Sequence, residues 1–215
     1  MNLAIVILNW NGKNWLEKFL PNVILHSGNT DIFVIDNAST DDSVSFLKEK
    51  FPVIKIVQNE NNYGFAGGYN EGLKKIEAEI YCLLNSDVEV TENWINPVLD
   101  LFQSDLNIAA VQPKVLDYHR RNYFEFAGAA GGFIDNLGFP YCRGRIFEDL
   151  EEDLGQYNDE TEIFWASGCC LFIRSQDFWD QNGFDQRFFA HQEEIDLCWR
   201  LKNSGRKIFY TGKST

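Results

Sequence analysis

The chain has 215 residues, 45% of them hydrophobic, and a formal net charge of −13. The apolar share supports a sizeable core and excludes a disordered chain, and the length suits one large domain or a core with an insertion. The acidic balance argues against nucleic acid as a partner, because such binding rests on Lys and Arg neutralising phosphates, and no dense Lys/Arg cluster suggests a polybasic membrane anchor. No run reaches the roughly 20 consecutive apolar residues that span a bilayer. Met1 to Trp10 lacks a basic flank and a small-residue cleavage site, so it reads as a first core strand and not a signal peptide. The five cysteines show no Cys-x-x-Cys spacing, and Cys82 and Cys170 sit in apolar runs. Reduced thiols and a cytoplasmic setting follow as expectations.

In chain order, Leu3–Leu8 is a continuous apolar run of the kind buried on both faces of a sheet. Trp15, Leu16, Phe19, Leu20, Val23 and Ile24 then recur at helical spacing, with Asn11 or Asn14 as a candidate cap. Ile32–Ile35 reads as a second buried strand, followed by a short helix opened by Ser39-Thr40-Asp41-Asp42. Val53–Val57 reads as a third strand, and a glycine-rich turn leads to a helix over Tyr69–Ile76. Ile80–Leu84 is predicted as a strand, Trp94–Phe102 as a helix and Ile108–Val111 as a strand. Strands alternating with helices imply an α/β fold with a mostly parallel sheet covered on both faces.

The rhythm breaks near Asp117. To about Glu162 the chain is rich in Gly, aromatic and acidic residues, which predicts an irregular insertion with short strands, placed to meet a second substrate. Regular structure returns with Cys169–Ile173 as a strand, Glu193–Ser204 as a helix closed by Gly205, and Lys207–Tyr210 as a last strand. No closing element follows, so the chain is expected to be truncated at its C-terminal end.

In open α/β sheets ligands bind beyond the carboxyl ends of the strands. Polar residues follow four successive apolar runs: Asn9-Trp10-Asn11-Gly12, Asp36 to Asp41, Asn59 with Asn61 to Asn70, and Asn85-Ser86-Asp87. Their convergence on one rim is the strongest functional signal in the residues themselves. Asp36 to Asp41 also suits turn and cap positions. Gly64, Gly67 and Gly68 either permit a tight turn or let backbone amides approach a diphosphate at a helix N-terminus. Asp87 directly follows a buried strand, where a carboxylate is costly unless paired or bound to metal, and Mg²⁺ often uses one or two carboxylates plus substrate phosphates. Glu193, Glu194 and Asp196 crowd one helical turn. The macrodipole explains acids there, yet a carboxylate so held could also act as a general base. His191 is assigned no role.

Taken together, Ile7-Leu8-Asn9-Trp10-Asn11-Gly12, Val34 to Asp41, Asn59 to Ala66 with Asn70-Glu71-Gly72, Leu84 to Asp87, and Glu193 to Arg200 resemble family 2 glycosyltransferases of the GT-A fold, in particular the bacterial rhamnosyltransferase-like branch. The resemblance implies a Rossmann-like, mostly parallel sheet, with residues 1–116 as the nucleotide-sugar half and 117–215 as the acceptor and catalytic half of one domain. It implies Asn9, Asn11 and Asp36 around the base and ribose, and Asn62, Gly64, Asn70 and Asn85 along the donor pocket. It further implies Asp87 as ligand of Mg²⁺ or Mn²⁺, Glu194 as catalytic base, and Trp165, Gly168 and Glu193 beside the acceptor. Two positions depart from the family pattern. The Asp-x-Asp motif is Asn85-Ser86-Asp87, which implies weaker metal dependence, and the Glu-Asp pair is Glu193-Glu194, which leaves Glu193 or Asp196 open as the base.

The implied activity is inverting transfer from a nucleoside-diphosphate sugar to a saccharide or lipid-linked saccharide hydroxyl, with cell-surface polysaccharide synthesis as the setting. Peripheral contact with the inner face of the cell membrane would come through the acceptor. A nucleotidyltransferase is the first alternative, although Asn9-Trp10-Asn11-Gly12 lacks the basic, Gly-rich triphosphate loop. A binding domain without catalysis is the second.

Overall fold

In a computed structural model describing residues 1–215, the opening apolar run forms β1 (Leu3–Asn9). There follow α1 (Lys13–His26), β2 (Asp31–Asp36), α2 (Ser43–Lys50), β3 (Lys55–Gln58), α3 (Gly64–Leu73), β4 (Ile80–Leu84), α4 (Asn96–Ser104) and β5 (Ile108–Pro113). Two short hairpins come next, β6 (Gly132–Ile134) with β7 (Pro140–Cys142) and β8 (Arg145–Ile146) with β9 (Asp149–Leu150). The chain then forms β10 (Glu160–Ile163), β11 (Cys170–Arg174), α5 (Ser175–Asp180), α6 (Glu193–Asn203) and β12 (Lys207–Thr211).

One eight-stranded sheet, in the order β10-β12-β5-β11-β4-β1-β2-β3, carries the fold. The block β4-β1-β2-β3 is parallel, and β12 runs parallel to β5. β11 lies antiparallel between β4 and β5, and β10 is antiparallel to β12. Strands from beyond residue 117 therefore share the sheet with those before it. Alternation along β1 divides the core. Ala4 and Val6 join α3, α5 and α6 on one face, while Ile5 and Ile7 meet α1, α2 and α4 on the other. Such two-sided burial explains why these strands read as unbroken apolar runs. No helix is long and apolar enough to cross a membrane.

Several boundaries differ from the sequence reading. The third strand begins at Lys55, because Val53 lies 68% exposed in the preceding turn. The helix predicted over Tyr69–Ile76 starts at Gly64 and ends at Leu73, so the glycines belong to the helix itself. Their purpose is proximity: a Cβ on Gly72 would sit 2.3 Å from the Ile35 side chain, and one on Gly68 would sit 2.8 Å from Asn37 Nδ2. Helix α3 thereby packs tightly onto β1 and β2. The predicted fourth helix starts at Asn96, not Trp94. Asn11 does not cap α1. Its Oδ1 accepts hydrogen bonds from the Thr40 and Asp41 amides at 2.7 and 3.2 Å, across the strand ends.

Candidate functional site

The carboxyl ends of β1, β2, β3, β4 and β5 lie along one rim, and the start of β11 arrives there too, because Cys170 is opposite Leu84. The rim has two stretches. Over β1-β2-β3 the polar side chains bind mainly one another. Asn9 and Asp36 are both 1% exposed, and Asn9 Nδ2 donates to Asp36 Oδ1 at 3.1 Å and to Ser39 Oγ at 3.2 Å. The second Asp36 oxygen accepts from the Ser39 amide at 3.1 Å. Asn37 Nδ2 donates to Asn62 Oδ1 and to the Gly64 carbonyl, both at 2.9 Å, while Asn37 Oδ1 accepts from Asn59 Nδ2 at 3.1 Å. Asn62 Oδ1 also accepts from the Gly64 amide. These amides fix the loops that shape the rim. Asn11 and Asn62 remain at its exposed edge.

The N-terminus of α3 is not open for a diphosphate. Phe65 and Ala66 both donate their amides to the Phe189 carbonyl, at 3.0 and 3.4 Å, and the Phe189 ring lies over Gly64. The loop that supplies this cap is strained, since Phe189, His191 and Gln192 all have positive φ (56, 76 and 68°). It leads directly into α6.

Over β4-β11-β5 the rim opens into a cavity of about 710 Å³. The volume lies within the range usual for small-molecule sites. Asn85, Asp87, Gly168, Glu193 and Glu194 all line it, so the predicted metal ligand, base and part of the acceptor wall meet in one space. Asp87 is exposed and makes no side-chain hydrogen bond or ion pair, whereas the Asn85 amide is tied by its backbone to the Cys169 carbonyl at 3.0 Å. An unpartnered carboxylate at the end of a core strand suits a hard cation, although one carboxylate and one carboxamide are too few to hold it without ligands from a substrate. No cluster of three or more His, Cys, Asp or Glu side chains supplies a complete cage.

Glu193 and Glu194 occupy the first turn of α6, and each has one buried carboxylate oxygen without a hydrogen-bond partner. Burial, then the neighbouring Glu193 charge, pushes the Glu194 carboxyl up to about 6, while backbone amides including that of Gly168 pull the other way. Burial also raises Glu193, opposed by its own backbone amide and by His191. Asp196 is excluded from the cavity and pairs with Arg200 at 2.8 Å, one turn along. Of the three acidic residues in this turn, only Glu193 and Glu194 face the cavity.

Two predicted positions lie elsewhere. Asn70 is buried inside α3, where Nδ2 donates to the Phe184 carbonyl at 2.8 Å and Oδ1 accepts from the Phe184 amide at 3.0 Å. It clamps that turn, with one N–H and one oxygen lone pair committed to the Phe184 backbone. Trp165 is 7% exposed, donates its indole N–H to the Phe133 carbonyl at 2.8 Å and packs on Gly132. It braces the insertion behind the wall, and Ser167 and Gly168 face the cavity instead.

The cavity also contains Tyr118, Arg121, Glu125 and Cys169, which the sequence did not single out, together with Phe65 from the glycine-rich segment and His191, to which the sequence assigned no role. Glu125 is raised by burial, and His191 sits beside Glu193. The acidic, aromatic character of the insertion was the available signal for Tyr118 and Glu125. His191 gave none, because its inward position follows from the left-handed backbone before α6.

A family model described as glycosyl transferase family 2 matches residues 4–181. Among curated relatives, the chain is 23% identical over 212 residues to the low-salt glycan biosynthesis hexosyltransferase Agl10 of Haloferax volcanii, covering 96% of this chain and 64% of that protein. It is 24% identical over 224 residues to the N-acetylglucosaminyl-diphospho-decaprenol L-rhamnosyltransferase of Mycobacterium tuberculosis, covering 94% of this chain and 71% of that one. Among solved structures, the mannosyltransferase PcManGT from Pyrobaculum calidifontis, in complex with GDP-Man and Mn²⁺, superposes with a TM-score of 0.69 at 13% identity, over 98% of this chain and 55% of that one. The structural likeness shows the fold, which is GT-A. The chain therefore spans about two thirds of these curated relatives.

Proposed function

We propose, for a chain that belongs to glycosyl transferase family 2, that it moves a sugar from a nucleoside-diphosphate donor to a hydroxyl of a saccharide acceptor, with inversion at the anomeric carbon. The observation that carries this reading is the presence of Asp87 and Glu194 on the walls of one cavity, the first unpaired and the second raised to about 6 by burial. A group with that pKa is largely deprotonated at neutral pH yet basic enough to take a proton.

The donor would lie along the rim from the Asn11 and Asn62 edge over β1-β2-β3 towards Asp87. Asn9 and Asp36 would act on it through the loop they hold. Asp87, with Asn85 beside it, would hold a divalent cation against the diphosphate. When bound, that cation supplies Lewis-acid stabilisation of the charge on the leaving group. Glu194 accepts the acceptor hydroxyl's proton as that oxygen bonds to the anomeric carbon and the bond to the diphosphate breaks on the opposite face. Gly168 lies beside the Glu194 carboxylate, close enough that a Cβ there would be in ordinary van der Waals contact with it at 3.8 Å. Ser167, Gly168 and Glu193 line the acceptor side. A lipid-linked saccharide is the acceptor class we favour, as the decaprenol-linked substrate in the name of the mycobacterial relative suggests. Contact with a membrane surface would then come through the acceptor.

Calorimetric titration with UDP, dTDP, GDP and CMP, each with and without Mn²⁺, tests the donor half. Tight, metal-dependent binding of one of them is expected. Pyrophosphate release from a nucleoside triphosphate and a sugar phosphate would replace the reading with nucleotidyl transfer. Donor binding without transfer to any of a broad acceptor panel would leave a binding domain.

A further inference from the structure

The charged side chains on the walls of the cavity are mostly acidic: Asp87, Glu89, Asp117, Glu125, Glu193 and Glu194. Against that background its basic side chains are informative. Lys114 is 6% exposed and is held by Asp153 at 2.7 Å, which makes it part of the frame. Arg121 differs: its side chain is 65% exposed, and its one ion pair is to Glu89 at 2.6 Å. It lies 5.2 Å from the centroid of the Tyr118 ring, another lining residue. A second cation meets the same ring from α1. Lys18 Nζ stands 4.3 Å from the Tyr118 centroid and 4.7 Å from that of Phe19, and it has no carboxylate partner. The Trp15 ring stacks on Phe19 at 6.1 Å and is 48% exposed, so an amphipathic aromatic surface continues outward from the two cations.

We infer that Lys18 and Arg121, gathered around Tyr118 at the mouth of the cavity, bind the diphosphate of a polyprenyl-diphosphate-linked acceptor, whose sugar enters towards Glu194 and whose chain leaves over Trp15. The inference deepens the proposed glycosyl transfer and rests on it. Two cations beside one ring, in a chain of charge −13, suit a multiply charged anion. Arg121 offers a planar fork for phosphate oxygens that its single carboxylate partner does not fill, and Lys18 adds an unpaired point charge. Tyr118, the ring that links α1 to the insertion, is 36% exposed, and a cation–π contact at such a ring is weak, a poor reason to leave a lysine without a carboxylate partner in so acidic a chain. Arg121 and Tyr118 line the same cavity as Asp87, so it is the nucleoside-diphosphate arm of the test that tells this diphosphate from that of the donor. Tyr118 and Arg121 belong to the insertion, beyond the strand ends that shape the donor rim.

The test compares farnesyl diphosphate, farnesol and UDP, dTDP and GDP with Mn²⁺ as ligands of the unaltered protein and of Lys18→Ala, Arg121→Ala and Arg121→Lys. Binding is read by tryptophan fluorescence and calorimetry. Farnesyl diphosphate is expected to bind the unaltered protein far better than farnesol does, and to weaken with added salt. Either alanine variant should lose about tenfold in its affinity, the loss expected from one charge-assisted contact, and Arg121→Lys should recover part of it. Nucleoside-diphosphate affinity should stay the same throughout. Equal binding of farnesol and farnesyl diphosphate overturns the inference. So does a loss that falls on the nucleoside diphosphate, which would assign the pair to the donor. A fall in thermal stability with unchanged farnesyl diphosphate affinity would make the cluster a structural clamp and overturn it as well. If the unaltered protein binds a nucleoside diphosphate but no farnesyl diphosphate, this inference alone fails. If it binds farnesyl diphosphate but no nucleoside diphosphate, the glycosyl-transfer reading fails instead.

Discussion

Asn9 and Asp36 end adjacent parallel strands directly opposite each other, and the Asn9 carboxamide donates to the Asp36 carboxylate across that register at 3.1 Å. Both are buried, and both also reach Ser39, so the pair sets the path of the loop from Asn37 to Asp41. Replacing Asp36 with Ala leaves the Asn9 amide and the Ser39 N–H short of acceptors. We expect a loss of about 1–3 kcal/mol in unfolding free energy, accompanied by weaker donor binding. Urea denaturation beside calorimetry checks both. Loss of donor affinity at unchanged stability would mean that Asp36 contacts the nucleotide itself.

The adjacent glutamates separate by their effects on rate. Glu194→Gln keeps the shape and removes the base, so transfer should fall by roughly 10²–10⁴ with donor binding intact. Glu193→Gln should mainly raise KM for the acceptor, because Glu193 lies on the same wall and tunes Glu194 by its charge. Steady-state kinetics of the two variants decide the assignment. Undiminished transfer by Glu194→Gln would refute it.

A base must be deprotonated to act, and burial raises Glu194 to about 6. Transfer should therefore climb with pH through an apparent pKa near 6, and Glu193→Gln should move that midpoint down by removing the like charge. The same shift has a definite sign for stability. The folded state favours the protonated carboxyl, so the contribution is fully present below the unfolded value of 4.5 and is lost as pH rises through about 6. The loss is about 2 kcal/mol on the scale of 1.36 kcal/mol per pKa unit. A pH series of kcat alongside one of Tm resolves the two.

At the end of β4, Asp87→Ala should abolish the Mn²⁺ dependence of nucleoside-diphosphate binding while leaving the fold unchanged, since Asp87 has no internal partner. Asn85→Asp should act oppositely. A second carboxylate at that position should tighten the cation and lower the Mn²⁺ concentration for half-maximal binding, with a gain of about tenfold in the range of one charge-assisted contact. Titration of Mn²⁺ at fixed diphosphate reads both.

The parallel block and its polar strand ends were legible because a strand covered on both faces leaves an unbroken apolar run, and the side chains that follow it are free to be polar. Thus Asn85, Asp87, Glu193 and Glu194 could be named in advance and meet in one cavity. Asn70 and Trp165 misled for one reason: a polar atom near a site is not thereby directed at it, and both use theirs on backbone groups of Phe184 and Phe133. The start of α3 was missed because glycine is a poor helix former, and the contact with Ile35 that requires Gly72 is invisible in the local sequence. Tyr118, Arg121 and His191 come from segments without periodicity, and only the folded chain brings them to the cavity. Strand order was equally hidden, since nothing local tells β11 to part β4 from β5.

That placement of β11 governs how the polypeptide can assemble. During synthesis β1, β2, β3 and β4 can pair as they emerge, but β5 has no neighbour until Cys170–Arg174 has been made, because β11 supplies the partner that both β4 and β5 require. The nascent N-terminal half therefore carries an open, wholly buried-type strand edge at Ile80–Leu84 for the whole time the insertion is being translated. Such an edge invites pairing with other chains. Ribosome-bound chains ending before residue 170 should accordingly engage holdase chaperones, and should release them once β11 has cleared the exit tunnel.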